Sequence, residues 1–443
     1  MSESSRVPRF RTTRLLRLGR MAGGVAGGML AEGVRRWSNG ERPQASELIL
    51  TPGNAQRMAN QLAHMRGAAM KMGQLLSMEA GEILPPEFVE VFGRLRQDAH
   101  YMPNWQLIRC LNAAWGEGWR GRFAHFPFTP MAAASIGQVH KARLLDGREV
   151  AVKVQYPGVR NSIDSDVDNV ARLVKMFGIF PDDMDLSPMI TEAKAQLHAE
   201  ADYRREAEWI RAYTDRVGGT ESFQLPEVID EFTTEEVLTM SFVPGGPIED
   251  VANAPEATRN RVARALIDLT LQEVLRWGLV QTDPNFANYR YHPESGRIGL
   301  LDFGATRQID DGLRQRLVDV FRAVESQNGA AIVDTSVAAG YFAPDEAQRY
   351  RSEFVDLAHI AAEPMGPNQP YDFASSRLTG RMRDRLQTMD FNRRFLKLPA
   401  PELMFVQRKL TGLYMLCCRL KATVDVLALV APYLDDGAPA KRA

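Results

Sequence analysis

A chain of 443 residues, 45% hydrophobic and 25% charged, can bury a substantial core and suits one large two-part unit or two small domains. A formal net charge of −1 argues against nucleic acid as a partner, because binding a phosphate backbone needs a basic surface. The three cysteines, Cys110, Cys417 and Cys418, lack the spacing of a zinc site or a disulfide framework, which points to a reducing compartment.

The first twenty residues set Arg6, Arg9, Arg11, Arg14, Arg17 and Arg20 against Glu3 alone. They read as a transit peptide or a basic arm at anionic lipid, with a solvated tail as the other reading. The Gly-rich segment Gly19 to Gly33 reads as a helix, either lying on a membrane or buried. No uncharged apolar run reaches the roughly 18 residues of a spanning helix, and the stretch from Leu403 is broken by Arg408, Lys409, Arg419 and Lys421. From Asn54 to Met78, Met58, Leu62, Met65, Ala69, Met72 and Leu76 recur at helical spacing, and Pro85 and Pro86 close the element.

Residues 105–120 predict a short helix. Glu149 to Tyr156 alternates as a strand after the Asp146-Gly147 turn, with Val150, Val152 and Val154 on one face. Residues 188–213 predict a charged helix. Glu236 to Val243 predicts a strand, broken by Pro244-Gly245-Gly246, where two lobes would hinge. A long helix from Ala257 to Trp277 should end at Gly278 and lead through a polar loop, Gln281 to Asn288, into a hairpin. From Asp311 onward the pattern is helical. The chain thus divides into four parts: 1–50, a basic arm and Gly-rich helix; 51–125, a helical extension; 126–245, a strand-rich lobe; and 246–443, a mostly helical lobe.

Phosphoryl transfer needs a cation on the phosphates, oxygen ligands for a metal and an acid beside the nucleophile, in a fixed chain order. Val150-Ala151-Val152-Lys153 supplies the cation on a strand; alone it would read as a surface lysine. Asp283 stands five residues before Asn288, the spacing of a catalytic loop, and Asp302-Phe303-Gly304 follows a hairpin as a metal-binding aspartate should. Glu206 is the expected partner of Lys153, sharing a helical face with Asp202 while Glu200 lies to one side. The phosphate-covering loop reads Ala132-Ala133-Ala134-Ser135-Ile136-Gly137-Gln138, with alanines where glycines are usual, which alters how closely backbone can approach phosphate. Met240 fits either a residue guarding the adenine or a core methionine.

Together these motifs, with SIGQVH, VAVKVQYPGV, EADYRREAE, QTDPNFAN and LDFGATR, resemble the UbiB/AarF family of atypical kinases from about Val7 to about Val424. The most specific element, Lys71-Met72-Gly73-Gln74, is similar to that family's KxGQ motif. The resemblance implies an α+β, two-lobed protein kinase-like fold with a helical N-terminal extension and a mostly helical C-lobe. It implies that the extension covers the protein-substrate face, placing Lys71, Gly73 and Gln74 near Glu200 and Asp202, so that phosphorylation of proteins in trans is hindered. QTDPNFAN resembles the mitochondrial and alphaproteobacterial branch linked to coenzyme Q, and Trp209 stands where an asparagine is common.

The activity implied by the resemblance is that of a Mg2+-dependent ATPase or small-molecule kinase supporting ubiquinone biosynthesis. Lys153, Glu206 and Asp283 would be catalytic, and Asn288 and Asp302 metal-binding. The alternatives are a nucleotide-dependent scaffold or lipid-extraction chaperone, and a protein kinase acting in trans. Implied partners are ATP and ADP, a membrane surface or quinone-precursor lipid, and ubiquinone biosynthesis enzymes, with room for a homodimer. The implied place is peripheral on the inner membrane, on its cytoplasmic face or, in a eukaryote, its mitochondrial matrix face.

Overall fold

The structure, a computed structural model, describes residues 101–176, 187–388 and 400–434. The basic arm, the Gly-rich segment, the helix expected from Asn54 to Met78 and the Lys71, Gly73 and Gln74 motif lie outside the described residues. The chain divides into two compact units, the first running to Ala212 and taking in Pro226–Phe242, the second made of Tyr213–Leu225 and the chain from Val243 on.

In the first unit, α1 (Asn104–Trp115) is shorter than its pattern suggested because Gly116 turns the chain with φ 79°. Trp115, Trp119, Phe123, Phe126 and Phe232 then pack edge to face and stacked, and this cluster seats α1 on the sheet. β1 (Phe123–His125), β2 (Ala132–Ala133), β3 (Gly137–Leu144) and β4 (Glu149–Gln155) lead to α2 (Val159–Met176), α3 (Ser187–Glu200) and α4 (Tyr203–Val217). β5 (Phe223–Gln224) belongs to the second unit, and β6 (Val237–Ser241) returns to the first. The antiparallel order is β1-β3-β4-β6, with β2 on β3. Strand β4 is thus central, and Lys153 faces Val139 on one side and Leu238 on the other.

Val150, Val152 and Val154 are fully buried; on the opposite face of β4 Ala151, Lys153 and Gln155 are buried too, while Glu149 is exposed, and Gln155 Nε2 donates to Ala201 O at 2.8 Å. The helix expected over 188–213 is two helices. Asp202 stands at the break and accepts the Arg205 N–H on Oδ1 at 3.1 Å, as a capping aspartate does at a helix start. Asp202 O accepts the Glu206 N–H at 3.0 Å, so the two residues stand one turn apart on α4, the first as its cap and the second within it.

In the second unit, β7 (Gly246–Pro247) precedes α5 (Glu256–Leu271), which continues as a π-helical turn to Trp277 and stops at Gly278, φ 62°. β8 (Leu279–Gln281) pairs with β11 (Thr306–Gln308), and the predicted hairpin is β9 (Tyr289–His292) with β10 (Arg297–Leu300), flanked by β5 and β7. Helices α6 (Asp311–Glu325), α7 (Gly329–Ala339), α8 (Pro344–Arg349), α9 (Arg351–Ala362), α10 (Leu378–Thr388), α11 (Pro401–Leu420) and α12 (Val426–Leu434) succeed them. The short strands β12 (Tyr371–Asp372) and β13 (Thr423–Val424) pair with each other between these helices. No helix among the described residues is long and apolar enough to cross a membrane. Arg408 and Lys409, which break the apolar run of α11, are themselves buried.

Candidate active site

Strand β4 delivers Lys153 and helix α4 delivers Glu206, with Nζ and Oε1 2.6 Å apart. Lys153 is 6% exposed and Glu206 2%, so the pair is enclosed by the unit. Such a pair holds its ammonium in one position, because each charge buried by itself would carry a large desolvation cost. The ammonium also lies 5.9 Å from the ring of Tyr203.

The alanine segment forms a tight hairpin. Ala134 N donates to Gly137 O at 2.9 Å, Ser135 and Ile136 make the turn, and the Tyr156 N–H is received by Ile136 O. Ile136 is buried in the core. Gln138 is buried as well, accepting the Met102 N–H on Oε1 at 2.9 Å while its Nε2 lies 2.8 Å from His140 Nε2. His140 Nδ1 is 2.9 Å from Pro127 O, so a neutral ring that donates from Nδ1 and accepts at Nε2 satisfies every partner. Burial holds its pKa down at about 4, only partly opposed by the Pro127 carbonyl. The side chains of Ile136 and Gln138 are therefore spent within the unit, as are the Ile136 carbonyl, which accepts the Tyr156 N–H, and the main chain of Gln138, which lies between β2 and β4. A Cβ on Gly137 would collide with the Val154 carbonyl, so β3–β4 packing demands this glycine. Met240 is a buried member of β6 beside Ala151, bridged to Val228. Glu200, the last residue of α3, and the capping Asp202 are half-buried.

In the second unit the polar loop is tied by its own backbone. Asp283 Oδ1 accepts the Asn285 N–H, Asn285 Oδ1 accepts the Ala287 N–H, and Asn288 Nδ2 donates to Asp283 O at 3.4 Å. Leu301 N donates to Asn288 O at 3.0 Å, which brings the strand end carrying Asp302 alongside Asn288. Asp302 Oδ1 accepts the Gly304 N–H at 3.0 Å, Asp302 O accepts Gln281 Nε2 at 3.2 Å, and Phe303 is buried against Tyr213 with ring centroids 4.9 Å apart. The backbone of one short stretch of structure thus ties Asn288 to Asp283 and to the residue before Asp302. Because the Asn288 amide nitrogen is given to Asp283 O, its oxygen is the atom suited to a cation. Carboxylate and amide oxygens are the ligands that Mg2+ prefers.

Sequence reasoning missed the charges behind this loop. Glu273, from the π-helical turn, and Lys409, from α11, form a buried pair 2.9 Å apart, 1% and 4% exposed. Glu273 Oε1 also accepts the Tyr213 hydroxyl at 2.7 Å. Burial alone would lower the Lys409 pKa, but the charge of Glu273, then Tyr289, outweighs it and the net shift is upward. Tyr213 and Tyr289 are pushed up, chiefly by burial. The signal in the sequence is two consecutive basic residues inside an otherwise apolar helix, which by itself speaks only against a membrane span.

Residues 94–336 match the ABC1 atypical kinase-like domain. The chain is 38% identical over 96% of its length to the mitochondrial atypical kinase coq-8 of Caenorhabditis elegans, and it spans 57% of that relative's length. It is 34% identical over 96% of its length to the mitochondrial atypical kinase COQ8 of Saccharomyces cerevisiae, spanning 85% of it. Among solved structures, the Rv3197–erythromycin complex from Mycobacterium tuberculosis matches with a TM-score of 0.58 and 28% identity, over 86% of this chain and 97% of that one. The fold is kinase-like, with mixed helices and sheets, and the chain belongs to the ABC1 atypical kinase-like family.

Proposed function

We propose that this chain binds ATP with Mg2+ and hydrolyses it, or passes its terminal phosphate to a small molecule, in support of ubiquinone biosynthesis at a membrane surface. Lys153 orients the phosphates and Glu206 fixes Lys153. Asn288 and Asp302 hold Mg2+, Asp283 positions the nucleophile, and the turn of the hairpin at Ala132 to Gln138 offers its main chain to the phosphates. Mg2+, when bound, neutralises the charge that builds on the transferring phosphoryl group. The observation that carries this reading is the Leu301 N to Asn288 O bond, which sets Asp302 beside a loop already folded around Asp283.

The biological setting rests on the relatives, which are named mitochondrial atypical kinases. A peripheral place on the inner membrane fits the lack of a spanning helix among the described residues together with the arginine-rich start of the chain. Phosphate release should be measured on purified protein with and without anionic liposomes and a quinone-precursor mimic. The proposal expects release that needs Mg2+, rises with lipid and is abolished by Asp302→Asn. Turnover unchanged by Asp302→Asn would defeat the assignment.

A further inference from the structure

Two adjacent basic residues of α11 have no part in the chemistry proposed above, yet both are buried against the 281–288 loop. Arg408 Nε donates to Thr282 O at 3.3 Å, at the loop's start. Lys409 Nζ donates to Tyr289 Oη at 3.3 Å, one residue past its end, and stands 2.9 Å from Glu273 Oε2. Glu273 Oε1 in turn accepts the Gln281 N–H at 3.4 Å. Both ends of the loop are therefore held by charges that the loop does not itself supply.

Apolar packing of similar volume often replaces a buried ion pair without loss of stability. What the charges add is direction, since each is fixed by hydrogen bonds to a particular atom of the loop or of its flank. We propose that Glu273 and Lys409 are positioning residues that set the two ends of the 281–289 segment and so the stance of Asp283 and Asn288. The inference rests on the roles given above to those two residues. Neither Glu273 nor Lys409 is asked to touch nucleotide.

Two paired variants test it, each removing both charges together so that no single charge is stranded. Glu273→Leu with Lys409→Met deletes the acceptor of the Gln281 N–H, whereas Glu273→Gln with Lys409→Met keeps a carbonyl oxygen there. ATP turnover and thermal unfolding are measured for both. The Leu/Met pair is expected to lose about 10- to 100-fold in kcat with KM for ATP changed only a few-fold, as a small misplacement of reacting groups does, and the Gln/Met pair, which regains the acceptor for Gln281 but still lacks Lys409 beside Tyr289, to recover only part of the loss. Unchanged kcat in the Leu/Met pair, or an equal loss in both pairs that tracks their unfolding temperatures, overturns the inference. If the Leu/Met pair does not fold, Tyr289→Phe decides: the inference expects kcat to fall several-fold at an unchanged unfolding temperature, and unchanged kcat overturns it. Asp283→Asn and Asp302→Asn are run alongside, and wild-type turnover in these would defeat the site assignment rather than the positioning role.

Discussion

Lys153 and Glu206, separated by 53 positions in the chain, meet at 2.6 Å in a place where neither side chain is more than 7% exposed. Removing one partner leaves a buried charge short of its counterion, a change worth about 3–5 kcal/mol. Glu206→Ala should therefore lower the stability of the first unit by that amount in urea unfolding. The doubly neutral Lys153→Met with Glu206→Leu should restore most of the stability while failing to bind ATP. That separation of stability from binding would distinguish a functional pair from a merely structural one.

Gly412 lies on α11 where a Cβ would drive into the ring of Pro284, next to Asp283. Alanine would favour the helix by up to about 1 kcal/mol. Overpacking against a rigid ring costs about 1–3 kcal/mol and should prevail. Gly412→Ala is expected to lower both the unfolding temperature and ATP turnover. A variant more stable than wild type would show that the loop yields easily at Pro284.

The His140 ring contributes a pH dependence of known sign. Its pKa is about 4 in the fold against 6.5 in the unfolded chain, so between these values the unfolded state binds the extra proton. The stabilisation is complete above about pH 6.5 and is lost as pH falls towards 4, at a slope of up to about 1.4 kcal/mol per pH unit. His140→Gln should flatten the difference between urea midpoints across that window. An identical profile in wild type and variant would contradict the neutral, buried ring.

Much of the fold was legible because its signals are local. Alternation at Val150, Val152 and Val154 marked β4, and Gly278 marked the stop after Trp277. The spacing from Asp283 to Asn288 and the DFG element at Asp302 marked a loop whose backbone bonds bring these residues together. Other features were hidden because they depend on contacts distant in sequence. Asp202 looked like one more helical acid until its carboxylate proved to cap a second helix. Gly137 looked like a remnant of a phosphate loop, yet the carbonyl of Val154, on the next strand, requires it. Arg408 and Lys409 showed in the sequence only as charges that break an apolar run, and the packing of α11 on the 281–289 segment reveals their partners.

The central claim is Mg2+-dependent nucleotide binding by the named side chains, and titration calorimetry of ATP into the purified chain tests it most directly. Saturable binding in Mg2+ should weaken sharply in EDTA, and Lys153→Met and Asp302→Asn should each reduce affinity in folded protein. Binding of undiminished affinity in both variants, or no binding by the wild-type chain in Mg2+, would contradict it.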